Sequence, residues 1–380
     1  MAKTNFAALT DEQKTIWSMD LWKHARNESF INKFLGKGPN SIIQHITELK
    51  KTEKGARAVI TLLSDLEGDG IAGDRTLEGN EEAMKTFDQV IQIDQLRHAN
   101  RSKGKMADQR SIVEFRGNSR DVLAYWLADR LDQMAFLTLG GVGYNYHTNG
   151  KLRVGSQLSD LEFAADVAAP TANRGAVWSK TLGLRMGLGS SEVNDPANAG
   201  TIMAGNSMPT WDLFLELKRQ AKDTFMRGVK GKGEEVYHAF LCPTAMLRLK
   251  QDPAYRDALK YAQTRGSDNE LFTGTSVKID GVMLHEFRHV PNNLKAGTGN
   301  QYGYNGTVEG SQILFCGAQA LGMADIGAPE WIERDFDFGN QQGIATKKVL
   351  GFLKPQFENQ YVDSGVPEDF GVISAYVSHA

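Results

Sequence analysis

Between Ser119 and Leu139 the apolar residues Val122, Leu123, Trp126, Leu127, Leu131 and Met134 recur at spacings of three and four, while Asp129 and Arg130 fall outside the stripe. That period belongs to an amphipathic helix. It predicts a helix of about 20 residues, roughly 30 Å long at ~1.5 Å per residue, as the strongest part of a helical region from about Ala107 to Leu139. A second helix is predicted over TWDLFLELKRQAKDTF, opened by Pro209, with Phe214, Leu217, Ala221 and Phe225 in register. TAMLRLKQ and DPAYRDALKYA read as short helices, the latter started by Asp252-Pro253. Near the N-terminus, Thr10-Asp11-Glu12-Gln13 has the form of a capping box. Helix-compatible residues continue to about His24, and Trp17, Leu21 and Ala25 share a face.

Other stretches carry strand signals. ARAVITLL (56–63) and TFDQVIQIDQL (86–96) flank SDLEGDGIAGDRTLEGNEEAMK, a glycine-rich acidic excursion, and together predict a long hairpin with a polar tip. VYHAFLCP reads as a buried strand, and SVKIDGVMLHEFRHV as a hairpin turning at Asp280-Gly281. SQILFCGAQALGMA reads as strand then helix, and WIERDFDF, IATKKVLGFL and FGVISAYV as closing strands. Residues 140–208 are rich in Gly, Ala and Asn and predict loops over a surface. A segment that long without elements is usually functional or an interface. The order is not the strand–helix alternation of a doubly wound sheet.

Composition narrows the function classes. The chain has 380 residues, 41% hydrophobic and 23% charged, which suits a soluble globular protein of one to three domains. No apolar run approaches the roughly 18 residues of a membrane span, and the N-terminus has no hydrophobic signal core. A net charge of −3 gives no global electrostatic argument for nucleic-acid binding. The two cysteines, Cys242 and Cys316, lie in apolar runs and read as buried free thiols of a reducing compartment.

Candidate chemistry is sparse. His285, Glu286 and His289 spell the HExxH of zinc peptidases. That signature needs a helix, which puts both imidazoles on one face and the Glu beside the metal-bound water. Here the local pattern is a hairpin strand, and Pro291 biases Val290 away from helical angles. On a strand, residues four apart are roughly 13 Å apart at about 3.3 Å per residue, too far for one zinc. Glu309 has the spacing of a third ligand, but Gly- and Asn-rich turns intervene. The alternative function of a zinc metallopeptidase using His285, Glu286 and His289 therefore stands as the lesser reading.

Asp65, Glu67, Asp69 and Gly70 fall at positions one, three, five and six of a calcium loop, but Thr76 stands where the bidentate Glu is required. GKGPN (36–40) and GKGEE (231–235) lack a complete phosphate-loop motif, and RGNSR (116–120) and GNSMP (205–209) lack the GxSxG elbow. No catalytic, cofactor-binding or metal residue is assigned, and no cofactor is expected.

Particular words of the sequence carry a resemblance. MAKTNFAALTDEQKTIWSMDLWKHARNESFINKF, TELKKTEKGARAVITLLSDLEGDGIAGDRTLEGNEEAM, DVLAYWLADRLDQM and the closing FGVISAYVSHA resemble the major capsid proteins of tailed double-stranded DNA phages, specifically the branch containing the N4-like phages. The resemblance covers most of the chain, and its motifs are structural rather than catalytic. It implies the α+β coat-protein fold shared by tailed phages and herpesviruses. In those terms residues 1–45 are an N-terminal arm, 46–106 an extended hairpin loop, 107–199 a peripheral domain with the spine helix, and 200–330 an axial domain. Residues 331–380 are strands completing the peripheral domain. The implied function is a structural, non-enzymatic shell protein, self-assembling as hexamers and pentamers into an icosahedral capsid, assembled in the host cytoplasm. The implied partners are other copies, a separate scaffolding protein, the portal, a decoration protein in some cases, and packaged DNA bound without sequence preference; no membrane is implied.

Two physical arguments run the same way. A two-stranded ribbon is marginal alone and gains from a neighbour that covers it. An arm carrying Trp17, Trp22, Phe30 and Phe34 ahead of any compact domain is expected to need a partner surface for those rings.

Overall fold

The computed structural model describes the chain except residues 1–18, 26–27, 47–56, 64–69, 83–85, 111–114, 188–201, 203, 232, 263–276, 298, 304, 359–365 and 380. Residues 19–25 are helical, and a short 3-10 turn, Ile31–Phe34, leads into β1 (Leu35–Gly36) and β2 (Ile43–Ile46). β3 (Arg57–Leu63) and β4 (Thr86–Gln92) pair with each other as the expected ribbon. β5 (Asp94–Arg101) follows at once, then α1 (Lys105–Arg110) and the long α2 (Phe115–Gly140). β6 (Gly175–Ser179) and β7 (Gly183–Met186) precede α3 (Trp211–Asp223). Next come β8 (Val229–Gly231), β9 (Glu234–Leu241), α4 (Pro243–Gln251) and α5 (Pro253–Ala262). The hairpin β10 (Val277–Ile279) and β11 (Val282–Glu286) turns at Asp280-Gly281 as expected. The strands that follow are β12 (Gly310–Cys316), β13 (Leu321–Asp325), β14 (Glu330–Phe336), β15 (Gln341–Leu353), β16 (Gln356–Glu358), β17 (Pro367–Asp369) and β18 (Val372–Ser378), with a 3-10 turn, Asp337–Gly339, between β14 and β15.

Two sheets organise these elements. The first runs β1-β2-β13-β15-β14, with β5 also paired to β15. The second runs β10-β11-β9-β12-β18-β6-β7, with β8 on β9. The helix α2 packs against β5, β13 and β15 of the first and β12 of the second, so it joins them. Its inner stripe of Leu123, Leu127, Leu131 and Met134 is buried as predicted, whereas Val122 is exposed. Leu217 of α3, Phe240 of β9, Phe315 of β12 and Ile373 of β18 belong to the same core cluster.

The structure departs from the sequence reading in three places. The helix expected after SQILFC is the strand β13, buried at all five positions. Ala, Leu and Met favour a helix, but β13 is clamped between β2 and β15, and pairing on both sides outweighs propensity. The surface loops expected over 140–208 contain β6, which is wholly buried and pairs in parallel with β18. β16 and β17 carried no recognised signal. The two sheets run across the segments divided at 199/200 and 330/331. β13 leaves the 200–330 segment for the first sheet, and β18 leaves the C-terminal segment to run between β12 and β6.

Candidate functional site

The HExxH residues do not converge. His285 lies on β11, in register with Phe240 of β9. Its Nε2 is 2.9 Å from His238 Nδ1, and the two rings stack 5.2 Å apart. Burial pushes both imidazoles down to about 4, with His285 adding to the effect on His238 and Lys33 to that on His285. The strand ends at Glu286, which is exposed and lies 3.8 Å from Lys250 Nζ. His289 sits beyond it in a turn, with Nε2 2.8 Å from Asp129 Oδ1 on α2. That hydrogen bond holds the Asp129 carboxyl below its usual range. The zinc-peptidase reading is therefore corrected: a strand and a turn send His285 and His289 into different networks and Glu286 to the surface. Among the described residues no group of three or more His, Cys, Asp or Glu could hold a metal. Of the calcium-loop pattern, Asp65, Glu67 and Asp69 lie outside the described residues. Both cysteines are buried free thiols, as the sequence indicated.

What the fold builds instead is a set of surfaces. The first is the seat of the arm. The carboxylate of Asp132, buried in α2, accepts from Ser29 Oγ at 2.7 Å, Phe30 N at 2.9 Å and Ile31 N at 3.2 Å. Burial pushes this carboxyl up, and the three donors oppose the shift. Phe30 stacks on Phe287 at 4.1 Å, and Phe34 meets Phe240 edge-on at 5.0 Å. Lys348 Nζ lies 3.9 Å from the Trp22 ring centre while also pairing with Asp325. Trp22, Phe30 and Phe34 thus already pack on their own chain but stay partly buried, so the expectation that they wait wholly for a partner surface is corrected in part. Trp17 lies outside the described residues. The anchor Asp132 was missed, although a carboxylate embedded in Leu131-Asp132-Gln133-Met134 is itself a signal, because a buried charge needs partners.

The second surface is the ribbon. Ala58, Ile60 and Ile91 are buried against their own chain. Gly322 and Gly351 make room for them. A Cβ at Gly322 would stand 2.2 Å from Ile60 Cδ1, and one at Gly351 2.2 Å from the Gln92 carbonyl oxygen. The opposite face is open: Val59 and Val90 oppose each other in the ladder, and both are over 40% exposed. β3 and β4 pair with no other described strand. The ribbon is therefore closed on one face by its own chain and open on the other.

The third surface is a groove of about 810 Å³ between β5, α2 and the 153–161 loop, lined in part by Arg97, His98, Trp126, Arg130 and Arg153. His98 stacks on Trp126 at 4.5 Å. Arg130 Nη1 and Arg153 Nη2 both donate to the neutral Gln133 Oε1, at 2.8 and 2.7 Å. Burial, and then the Arg130 charge, push the Arg153 guanidinium down to about 10. An anionic group entering this groove would relieve that repulsion.

Comparison with known proteins gives a consistent answer. A family model described as phage capsid protein matches residues 5–380. The major capsid protein of Pseudomonas phage KPP25 is 54% identical over 376 residues, covering 99% of this chain and 97% of that protein. Among solved structures, the capsid of Ralstonia phage GP4 aligns with a TM-score of 0.73 at 22% identity, covering 92% of this chain and 91% of that one. The cyanophage Pam1 capsid asymmetric unit aligns with a TM-score of 0.68 at 17% identity, covering 100% and 96%.

Proposed function

This chain belongs to the phage capsid protein family, and from that premise we propose that its copies form rings of six and five that close into an icosahedral shell around double-stranded DNA. The fold is that of tailed-phage capsid proteins, and the protein is a structural component of the virion. Its role is to tile a surface, not to catalyse a reaction. The observation that carries this reading is the 54% identity to a major capsid protein along nearly the whole chain. The ribbon with one open apolar face is the physical counterpart of that likeness.

In this reading the β14–β15 part of the first sheet, with α2 as its spine, belongs to the peripheral domain, and most of the second sheet is the axial domain at ring centres. The arm of 1–45 and the loop of 46–106 are the extensions. Each ribbon lies over a neighbour. Its described acidic residues Asp74, Glu78, Glu81 and Glu82 are exposed and complement the Arg97–Arg130–Arg153 groove. A separate scaffolding protein directs assembly in the host cytoplasm, a portal occupies one vertex, and packaged DNA touches the inner face without sequence preference. A decoration protein is a further candidate partner. Placement in the N4-like branch rests on the quoted sequence words alone. Electron microscopy of the purified chain with its scaffold tests the proposal. Closed shells or capsomer rings are expected; soluble monomers under every assembly condition would contradict it.

A further inference from the structure

The tip of the β14–β15 hairpin presents one aromatic residue in an unusual way. Phe338 is fully solvent-exposed, at 111% of its reference area. Its backbone is left-handed, φ 50 and ψ 33, and Asp337 before it has φ 51. A bulky residue rarely adopts that conformation, and such outliers point to function. The turn is also fastened. Asn340 N donates to the Asp337 carbonyl at 2.9 Å, Lys105 N donates to the Asn340 carbonyl at 3.1 Å, and Gln341 Nε2 donates to the Lys103 carbonyl at 3.2 Å. A solvent-facing phenyl ring on a fastened backbone buries nothing against the described residues of its own chain. It has the properties of an interface anchor, because it loses little freedom when covered.

A socket lies at the other end of the same hairpin. A groove of about 560 Å³ is lined by Met19, Trp22, Lys23, Lys33 and Ala328, among others. Met19 is 63% exposed, so the groove offers apolar surface to solvent. Its lining holds two lysines and no acid, whereas the tip, Asp335-Phe336-Asp337-Phe338-Gly339, holds two acids and no base. The arginines nearest the tip, Arg101 and Arg334, lie over the Phe336 ring at 4.3 and 5.4 Å. The Glu330–Phe336 strand alone spans roughly 20 Å at about 3.3 Å per residue. Phe338 therefore cannot fill the groove of its own chain.

We propose that Phe338 of one copy plugs the Met19–Trp22–Ala328 groove of the next, with Asp337 and Asp335 facing Lys23 and Lys33. Plug and socket on opposite ends of one element form a head-to-tail contact, which repeats around a closed ring of copies. The partner is thus a second copy of this chain, and the inference rests on the shell-forming reading given above. It also gives the strained backbone a purpose, since the left-handed turn aims the ring outward from the ladder.

Phe338→Gly separates the two roles. Glycine accepts the left-handed conformation, so the unassembled variant should melt at or above the wild-type temperature. Its assembled fraction at a fixed concentration should fall about tenfold or more, the scale of losing a buried aromatic anchor. A photoreactive phenylalanine analogue at position 338 should cross-link, in assembled particles only, to peptides containing Met19, Trp22 or Ala328 of another copy. Wild-type-like assembly of Phe338→Gly, or cross-links that map elsewhere, would overturn the plug-and-socket contact alone. Failure of the wild-type chain to form shells or rings would overturn the functional reading beneath it.

Discussion

The strands β12 and β18 and the ribbon β3–β4 are all paired β-structure, yet they close in different places. Every residue of β12 and β18 is buried, and the two strands pair over seven residues inside a sheet that continues on both sides. The ribbon also pairs over seven residues, but no described strand continues it, and its Val59–Val90 face stays open. Complete burial within the chain marks the part that makes the subunit fold. Half-burial with apolar residues outward marks the part that, in the proposed shell, a neighbouring copy completes. The described part of the arm, residues 28–36, is held to its own chain by Asp132 and the Phe287–Phe240 surface, although its rings are only partly buried.

The largest expected effect breaks the closed region. Lys354, 1% exposed, pairs with the fully buried Asp369 at 2.9 Å. Lys354→Met should strand that carboxylate and cost about 3–5 kcal/mol, read as a lower denaturant midpoint of the unassembled chain. Asp132→Ala should come next, at about 2–3 kcal/mol, since it leaves the Ser29 hydroxyl and the Phe30 and Ile31 amides without their acceptor. Limited proteolysis should then cut near residues 28–34 in the variant and not in the wild type. A cut pattern identical to wild type would return the arm to the class that waits for a partner.

Acid sharpens the contrast more gently. His238 and His285 titrate at about 4 in the fold, below the ordinary 6.5, because burial disfavours their charge. The unfolded chain therefore binds protons that the folded chain does not between about pH 6.5 and 4. The contribution is fully present above pH 6.5 and is lost as the pH falls through that window. For this partly exposed pair it should amount to roughly 1–2 kcal/mol. His285→Phe should flatten the slope of stability against pH between 6.5 and 4.5; an unchanged slope would remove the pair from the account. The smallest effect on folding is expected from Val59→Ser with Val90→Ser, within about 0.5 kcal/mol, although the same pair should abolish or severely reduce assembly.

Much of this division was legible in the sequence, and the failures have physical causes. The spine helix and the Asp280-Gly281 hairpin are local signals, written in a period of three to four or in a two-residue turn. That local reading also sufficed to set aside a zinc site at His285 and His289. β13 was not legible, because its Leu, Met and Ala favour helix and only β2, 278 residues earlier, and the far half of β15, 25 to 31 residues later, make it a strand. β6 was hidden in a Gly- and Ala-rich stretch whose burial comes from β18, almost two hundred residues later. The arm misled for the same reason: Trp22, Phe30 and Phe34 look orphaned until the chain returns with Phe240, Phe287 and Lys348. Long-range closure is what a one-dimensional pattern lacks, and it decides which apolar surface is left for a neighbour.

Hydrogen exchange on the unassembled chain and on assembled particles tests that division most directly. The account predicts that amides of 57–63 and 86–92 gain protection on assembly, while those of 310–316 and 372–378 are protected equally in both states. Ribbon amides that exchange at the same rate before and after assembly would contradict it.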